Sequence, residues 1–391
     1  MTHLELLRTH KAVRQLTAVQ FIAYFGAWFS NVAIYTMLVQ FDASAFIIAT
    51  VTAFHFLPGV ILSPFNGSIV DRIEIKKLML ILLATEMIMT FSFLFINSID
   101  DVWLLMFFLF IRMGSASIFF TTEMTLLPNL LSGEALVKAN EIHSMIWSFT
   151  FTAGMALGGV VVSMFGVKAS FIIDGAFFLV AILILSRIDF NVEMEKVTHS
   201  ILQTIKDGFT YLKNNKYLFH YMFLHSTVGF TIFDTIVTLL ADQKYKYVIA
   251  VPLAIGFTNG IRALALMIGP FFISHWITKE RLFYMFLAQG GAIILWAYLQ
   301  YDFYLGLFGM FLVGLTTTTI WSYTYTMLQE EVEKKYLGRV LAYNEMIFML
   351  STVLTTFFIG LMASLVSLNI ITMLLGMAFI AVAYYYKRVF L

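Results

Sequence analysis

The chain has 391 residues, 60% of them hydrophobic and 12% charged, with a formal net charge of +1 and no cysteine. That much apolar surface cannot be hidden in a soluble core of this size, so lipid is the expected solvent for the outer surface. The lack of cysteine excludes disulfides, thiolate metal sites and thiol redox chemistry, and the small net charge points to no nucleic-acid partner.

Apolar segments at 14–41, 44–70, 77–97, 102–127, 140–164, 169–189, 218–241, 248–275, 282–300, 303–328, 339–363 and 366–386 are each long enough to cross a bilayer as a helix. They lack the short alternating pattern of a transmembrane barrel, so an all-α membrane protein with twelve transmembrane helices is expected. Residues 1–14 are polar and the run after them is too long for a signal-peptide core, so no cleavable signal is expected. Nineteen of the 24 Lys and Arg fall on the side that holds both chain ends. Three (Lys168, Lys244 and Lys246) lie opposite, and Arg112 and Arg262 lie inside spans. By the positive-inside rule both termini are cytoplasmic, in a plasma membrane that is expected to be the bacterial inner membrane.

The longest polar break is 190–217, where Ile201, Ile205, Phe209 and Leu212 recur at helical spacing. That pattern predicts an amphipathic helix on the cytoplasmic membrane surface. The break divides the chain into 1–189 and 218–391, six spans each. A weak repeat at an offset near 200 residues relates the halves: Gly114–Leu131 matches Gly314–Val332, and Asn140-Glu141 matches Asn344-Glu345. Two pseudo-symmetric six-helix bundles are therefore expected, the organisation of transporters that bind between their halves.

Polar groups at membrane depth are costly and call for a reason. In the first span Tyr24, Trp28, Asn31 and Tyr35 offer rings and hydrogen-bonding groups. His55, mid-way along the second, is a candidate to carry a proton. Glu86 and Asp174, in the third and sixth spans, are expected to bond between helices. Arg112, Ser115 and Thr122 share one face of the fourth span, and Glu123, eleven residues past Arg112, returns to nearly the same face. Arg112 and Glu123 are thus expected to look into one aqueous cavity at different depths, with a structural role for Arg112 as the alternative. In the seventh span His220, Thr227, Thr231, Asp234 and Thr238 form a polar stripe at steps of seven, four, three and four. Asp234, the one carboxylate well inside that span, is the leading proton-binding candidate; His225 lies on the opposite face and reads as a core histidine. Arg262, in the eighth, is assigned to interhelical bonding. The tenth adds Thr316, Thr317, Thr318, Thr319, Trp321, Tyr323 and Tyr325.

Between the second and third spans the chain reads Gly67-Ser68-Ile69-Val70-Asp71-Arg72-Ile73-Glu74-Ile75-Lys76-Lys77. This resembles the signature loop of the major facilitator superfamily. Gly154-Met155-Ala156-Leu157-Gly158-Gly159 resembles that superfamily's antiporter motif with its proline replaced by Met155. The strings Leu136-Val137-Lys138-Ala139-Asn140, Phe171-Ile172-Ile173-Asp174-Gly175-Ala176 and Gly338-Arg339-Val340 are similar to the macrolide-efflux and enterobactin-exporter branch. In the second half Gly269-Pro270-Phe271-Phe272-Ile273-Ser274 lacks the loop's acid.

The resemblance implies that spans one, four, seven and ten line the cavity, which places Tyr24, Trp28, Asn31, Tyr35, Ser115, Thr122, Thr227, Thr231, Thr316, Thr319, Trp321 and Tyr323 as candidate cargo contacts. It makes Asp234, Glu123, Arg112 and His55 the candidates for proton coupling. Gly67, Asp71, Arg72, Gly338 and Arg339 would form a gate, with Asp71 facing the start of the eleventh helix. Gly154 and Gly158 are expected to pack as a small-xxx-small pair, with Gly256 and Gly260 as the partner across the pseudo-symmetry. The implied function is proton-coupled export of an amphipathic organic compound by a monomer, with no cofactor and no metal. Its partners would be a small-molecule substrate, protons and the lipid bilayer. No phosphate-binding loop of the Gly-xxxx-Gly-Lys-Ser/Thr type occurs, so nucleotide-driven pumping is not expected, nor is enzymatic activity. The competing readings are a lipid or lysophospholipid flippase, a divalent-metal exporter using His220, His225 and Asp234, and a non-transporting sensor.

Overall fold

The computed structural model describes residues 2–70, 72–190, 201–273, 275–333 and 335–391. Asp71 and residues 191–200 of the polar break therefore lie outside the described residues. The helices are α1 His3–Thr9, α2 Lys11–Gln40, α3 Ala45–Val70, α4 Ile75–Ser92, α5 Val102–Leu130, α6 Gly133–Phe165, α7 Val167–Ser186, α8 Ile201–Asn214, α9 Leu218–Ser226, α10 Asp234–Gln243, α11 Val251–Ile273, α12 Leu282–Leu299, α13 Phe303–Glu331, α14 Leu337–Met362 and α15 Leu368–Phe390. Twelve segments among the described residues are long and apolar enough to span a membrane, with α9 and α10 together making the seventh. An even number of crossings puts both chain ends on one side, called here the terminal side.

Within the first bundle α2 packs on α6 and α7, α3 on α5, and α4 on both α5 and α7; in the second, α12 packs on α13 and α15, and α11 on α13. The bundles meet where α3 lies along α14 and α6 along α11. These are spans two with eleven and five with eight, and a half-chain shift of six exchanges the two pairs, so the fold carries the two-fold pseudo-symmetry of the repeat.

The close approaches between bundles cluster in the half of the membrane away from the termini. A Cβ at Gly159 would sit 2.6 Å from the Pro252 carbonyl oxygen, a Cβ at Gly360 would collide with Ala49, and the Thr235 hydroxyl donates to Thr52 Oγ1 at 3.2 Å. These contacts shut the space between the bundles on that side.

Two sequence expectations are altered. Span seven is not one helix: α9 ends at Ser226, Thr227–Thr231 is a 3₁₀ segment, and α10 begins at Asp234. Ser226, Thr227 and Thr231 each turn a hydroxyl onto the carbonyl three residues back, at 2.8, 2.6 and 2.8 Å, bonding that competes with the regular ladder. Gly229 lies where a Cβ would stand 2.9 Å from the Thr352 backbone nitrogen, so α14 closes on the segment. The glycine pairs also differ from expectation. A Cβ at Gly158 would meet the Phe29 carbonyl oxygen at 2.5 Å and one at Gly154 the Trp28 Cβ at 2.8 Å, so both face α2. Gly256 and Gly260 instead meet Met155, Gly159 and Ala156. One turn of α6 thus serves two partners, with neighbouring residues facing different helices.

Gly158→Val should lower the melting temperature by the equivalent of about 1–3 kcal/mol, the usual cost of forcing bulk into a filled contact. Gly67→Ala, where a Cβ meets nothing within 4 Å, should melt like the parent. Equal melting of the two variants in detergent would contradict the packing.

Candidate functional site

On the face between the bundles, the break in span seven presents Asp234 as the first residue of α10, half-buried. Its carboxylate lies within electrostatic reach of the Tyr35 hydroxyl on α2 and of Arg262 on α11. Arg262 donates to Thr231 Oγ1 at 3.2 Å and stands 5.5 Å over the Phe233 ring, while its Nε has no partner. Tyr35 in turn stacks on His55 at 5.8 Å. His55 Nε2 is 2.6 Å from Asn31 Oδ1 and its Nδ1 3.2 Å from the Val51 carbonyl oxygen. Both partners are acceptors, so a neutral ring satisfies only one of them unless the Asn31 amide is turned over. The structure therefore brings Asn31, Tyr35, His55 and Asp234 to one region.

The rest of the expected cavity set divides. Arg112 and Glu123 are buried inside the first bundle rather than facing shared water. Arg112 donates to Asp174 Oδ2 at 2.8 Å and to Ser30 Oγ at 3.0 Å, with Phe93 and Phe178 5.6 and 5.5 Å from its guanidinium carbon. A desolvated guanidinium needs a carboxylate, and span six supplies it. Glu123 accepts a hydrogen bond from the Tyr24 hydroxyl. Beside them Gln20 Nε2 is 3.2 Å from His143 Nδ1. Ser115 is buried, and Thr122 spends its hydroxyl on the Ile118 carbonyl at 2.8 Å. Trp28 packs on Phe151 at 4.3 Å and on Trp147 at 5.8 Å.

In the second bundle Thr316 and Thr317 both donate to Gln289 Oε1 of span nine, and Thr319 is buried, so this part of the threonine run is bundle interior. Trp321 and Tyr325 stack at 5.2 Å and, with Phe348, enclose His225, which bonds Thr324 Oγ1 at 3.1 Å. Tyr323 is half-buried. His220 bonds the Tyr385 hydroxyl. His220, His225 and Asp234 thus have separate neighbourhoods, and no group of three metal-ligating side chains occurs among the described residues.

At the proposed gate Gly67 and Gly338 have open space and Arg72 is exposed. Arg339 stands 3.8 Å from Asp207 of the amphipathic helix α8. Tyr343 donates to the Ile205 carbonyl at 2.9 Å, Tyr211 stacks on Tyr336 at 4.2 Å, and a Cβ added at Gly208 would stand 3.0 Å from Arg339 Cβ. The expected surface helix is therefore docked on the start of span eleven.

Three residues escaped the sequence reading. His143 and Gln20 were not candidates, although Gln20 lies one turn before Tyr24 and His143 two residues past Glu141. Asp207 carried no signal beyond a polar face.

Comparison with known proteins gives one family. The sequence model of the Major Facilitator Superfamily matches residues 16–346. Macrolide efflux protein A of Streptococcus pyogenes is 22% identical over 365 residues, covering 90% of this chain and 89% of that protein. Macrolide efflux protein A of Enterococcus faecalis is 23% identical, covering 73% and 91%. An uncharacterized MFS-type transporter, YfiS of Bacillus subtilis (strain 168), is 28% identical over 216 residues, a match spanning 53% of this chain and 51% of YfiS. Among solved structures, the nucleoside transporter NupG superposes with a TM-score of 0.75 at 14% identity, over 97% of this chain and 99% of that one. At that identity the likeness speaks for the fold.

Proposed function

From the premise that this chain belongs to the Major Facilitator Superfamily, we propose that it exports an amphipathic organic compound in exchange for protons. The observation that carries this reading is Asp234. It is a half-buried carboxylate at the head of a broken span, set between Tyr35 of one bundle and Arg262 of the other. Discontinuous helices at mid-membrane are where transporters of this kind place cargo and coupling ions. The relatives named for macrolide efflux support a bulky, amphipathic cargo.

Uptake of a labelled macrolide into proteoliposomes with an acidic lumen tests the reading. Accumulation that collapses with the pH gradient is expected, and accumulation indifferent to the gradient would end it.

In this reading the working units are 1–189 and 218–391, joined by 190–217, and the protein acts as a monomer. The termini and α8 face the cytoplasm of a bacterial inner membrane, where the anchoring basic residues lie. The chain contains no cysteine, so Lys213→Cys on α8 offers a single label. An impermeant maleimide should reach it in inverted vesicles only, and labelling from outside intact cells would reverse the orientation.

A further inference from the structure

Among its described residues the first bundle buries three carboxylates, Glu86, Glu123 and Asp174, and a single guanidinium, Arg112. They belong to neighbouring helices: Glu86 to α4, Arg112 and Glu123 to α5, Asp174 to α7, and α4 packs directly on both α5 and α7. Arg112 and Glu123 are eleven residues apart on one helix, about 16 Å along its axis. Glu86 lies within electrostatic reach of Arg112 and Asp174 at one level, and of Glu123 and Tyr24 at the other. It therefore stands between the two levels. The titratable groups within that reach of Glu86 are Arg112 and Glu123 from α5, Asp174 from α7 and Tyr24 from α2.

The charges do not balance if every acid is ionised. Arg112 is committed to Asp174 by a 2.8 Å hydrogen bond, and that pair is neutral together. Glu86 and Glu123, both buried, are then left with no cation of their own. An uncompensated carboxylate in such a place is strongly disfavoured, and two facing one another add repulsion to the desolvation. The hydrogen bonding at Glu123 says the same. Oε2 accepts from the neutral Tyr24 hydroxyl, in a side chain with no exposed surface, and no cation bonds either oxygen. A carboxylate met only by neutral donors in that position is costly, whereas a carboxylic acid has no charge there to solvate.

We propose that Glu86 and Glu123 form a proton-holding centre inside the first bundle, each carrying a proton in this conformation while Asp174 stays ionised against Arg112. Glu123 is the member that exchanges, because Tyr24, Gln20 and His143 extend its polar surroundings towards the terminal side. Glu86 is the reserve, joining Glu123 to the Arg112–Asp174 pair. The ligand is the proton, and no bond other than O–H is made or broken. The centre's use in transport rests on the coupling reading above; its protonation does not.

Infrared difference spectroscopy on protein in phosphatidylethanolamine/phosphatidylglycerol vesicles, stepped through pH without any cargo, reads the acids directly. At neutral pH the parent protein should show protonated-carboxyl bands that include one from Glu86 and one from Glu123. Glu86→Gln should remove one and Glu123→Gln the other. Parent bands missing at neutral pH, or bands unchanged in both glutamine variants, would overturn the centre. If one variant fails to fold, the other still decides its own band. Both bands present in a parent whose macrolide uptake ignores the pH gradient would uphold this centre and sink only the coupling reading.

Discussion

Arg112→Met should cost about 3–5 kcal/mol of stability, because removing one member of a buried ion pair leaves the other as an uncompensated charge. Asp174 is wholly buried, with one oxygen on Arg112 and the other unpartnered. Among the described residues no other Lys or Arg is buried in that bundle. Asp174→Asn should also destabilise, since it strands the guanidinium among Phe93 and Phe178. Removing both charges together, as Arg112→Met with Asp174→Asn, should recover most of the loss, because the damage in either single variant comes from the charge left behind. Thermal melting of the four proteins in detergent measures this cycle. A single Arg112→Met protein that melts like the parent would show that the pair is not what holds spans one, four and six in register.

The second large effect is expected at Asp234. Its asparagine variant copies the protonated acid in shape and charge, so it should still bind cargo and exchange labelled for unlabelled molecules across the membrane. It should lose accumulation driven by a pH gradient. One proton crossing a gradient equivalent to 100 mV releases about 2.3 kcal/mol, or roughly fifty-fold in concentration ratio, and that is the size of the expected loss. An Asp234 that only ties helices together would instead lower yield or melting temperature and leave the pH dependence of the surviving transport intact. Full gradient-driven accumulation by Asp234→Asn would refute the assignment and leave the carboxylates of the first bundle as the coupling groups.

Span number and order were legible in the sequence because each depends on a property of one segment: an apolar run of sufficient length. The helix over 201–214 was legible from the helical spacing of its apolar residues, again a property of one segment. What the sequence could not supply was the identity of neighbours. Arg112 and Glu123 were correctly placed near one helical face and at different depths, yet which face meets water is decided by α2, α4 and α7, and nothing in span four encodes it. Gly154 and Gly158 announced a close approach but not its partner, and a rotation of one residue along α6 separates the face that meets α2 from the face that meets α11. The stripe from His220 to Thr238 assumed an unbroken helix. The hydroxyls that made it look like a stripe are the groups that help break it, and His220, carried off the common face, pairs with span twelve.

The five 3₁₀ residues of span seven, Thr227–Thr231, make the segment a screw. At about 2.0 Å per residue they cover some 10 Å of depth, against about 7.5 Å if wound as α-helix, and each of the five would turn through about 100° instead of 120°. Rewinding them as α-helix about the axis of a fixed α9 would draw the head of α10 in by about 2.5 Å and swing it through about 100°. Depth and bearing are locked together in such a joint, so Asp234 cannot change its level in the membrane without also changing which bundle it faces.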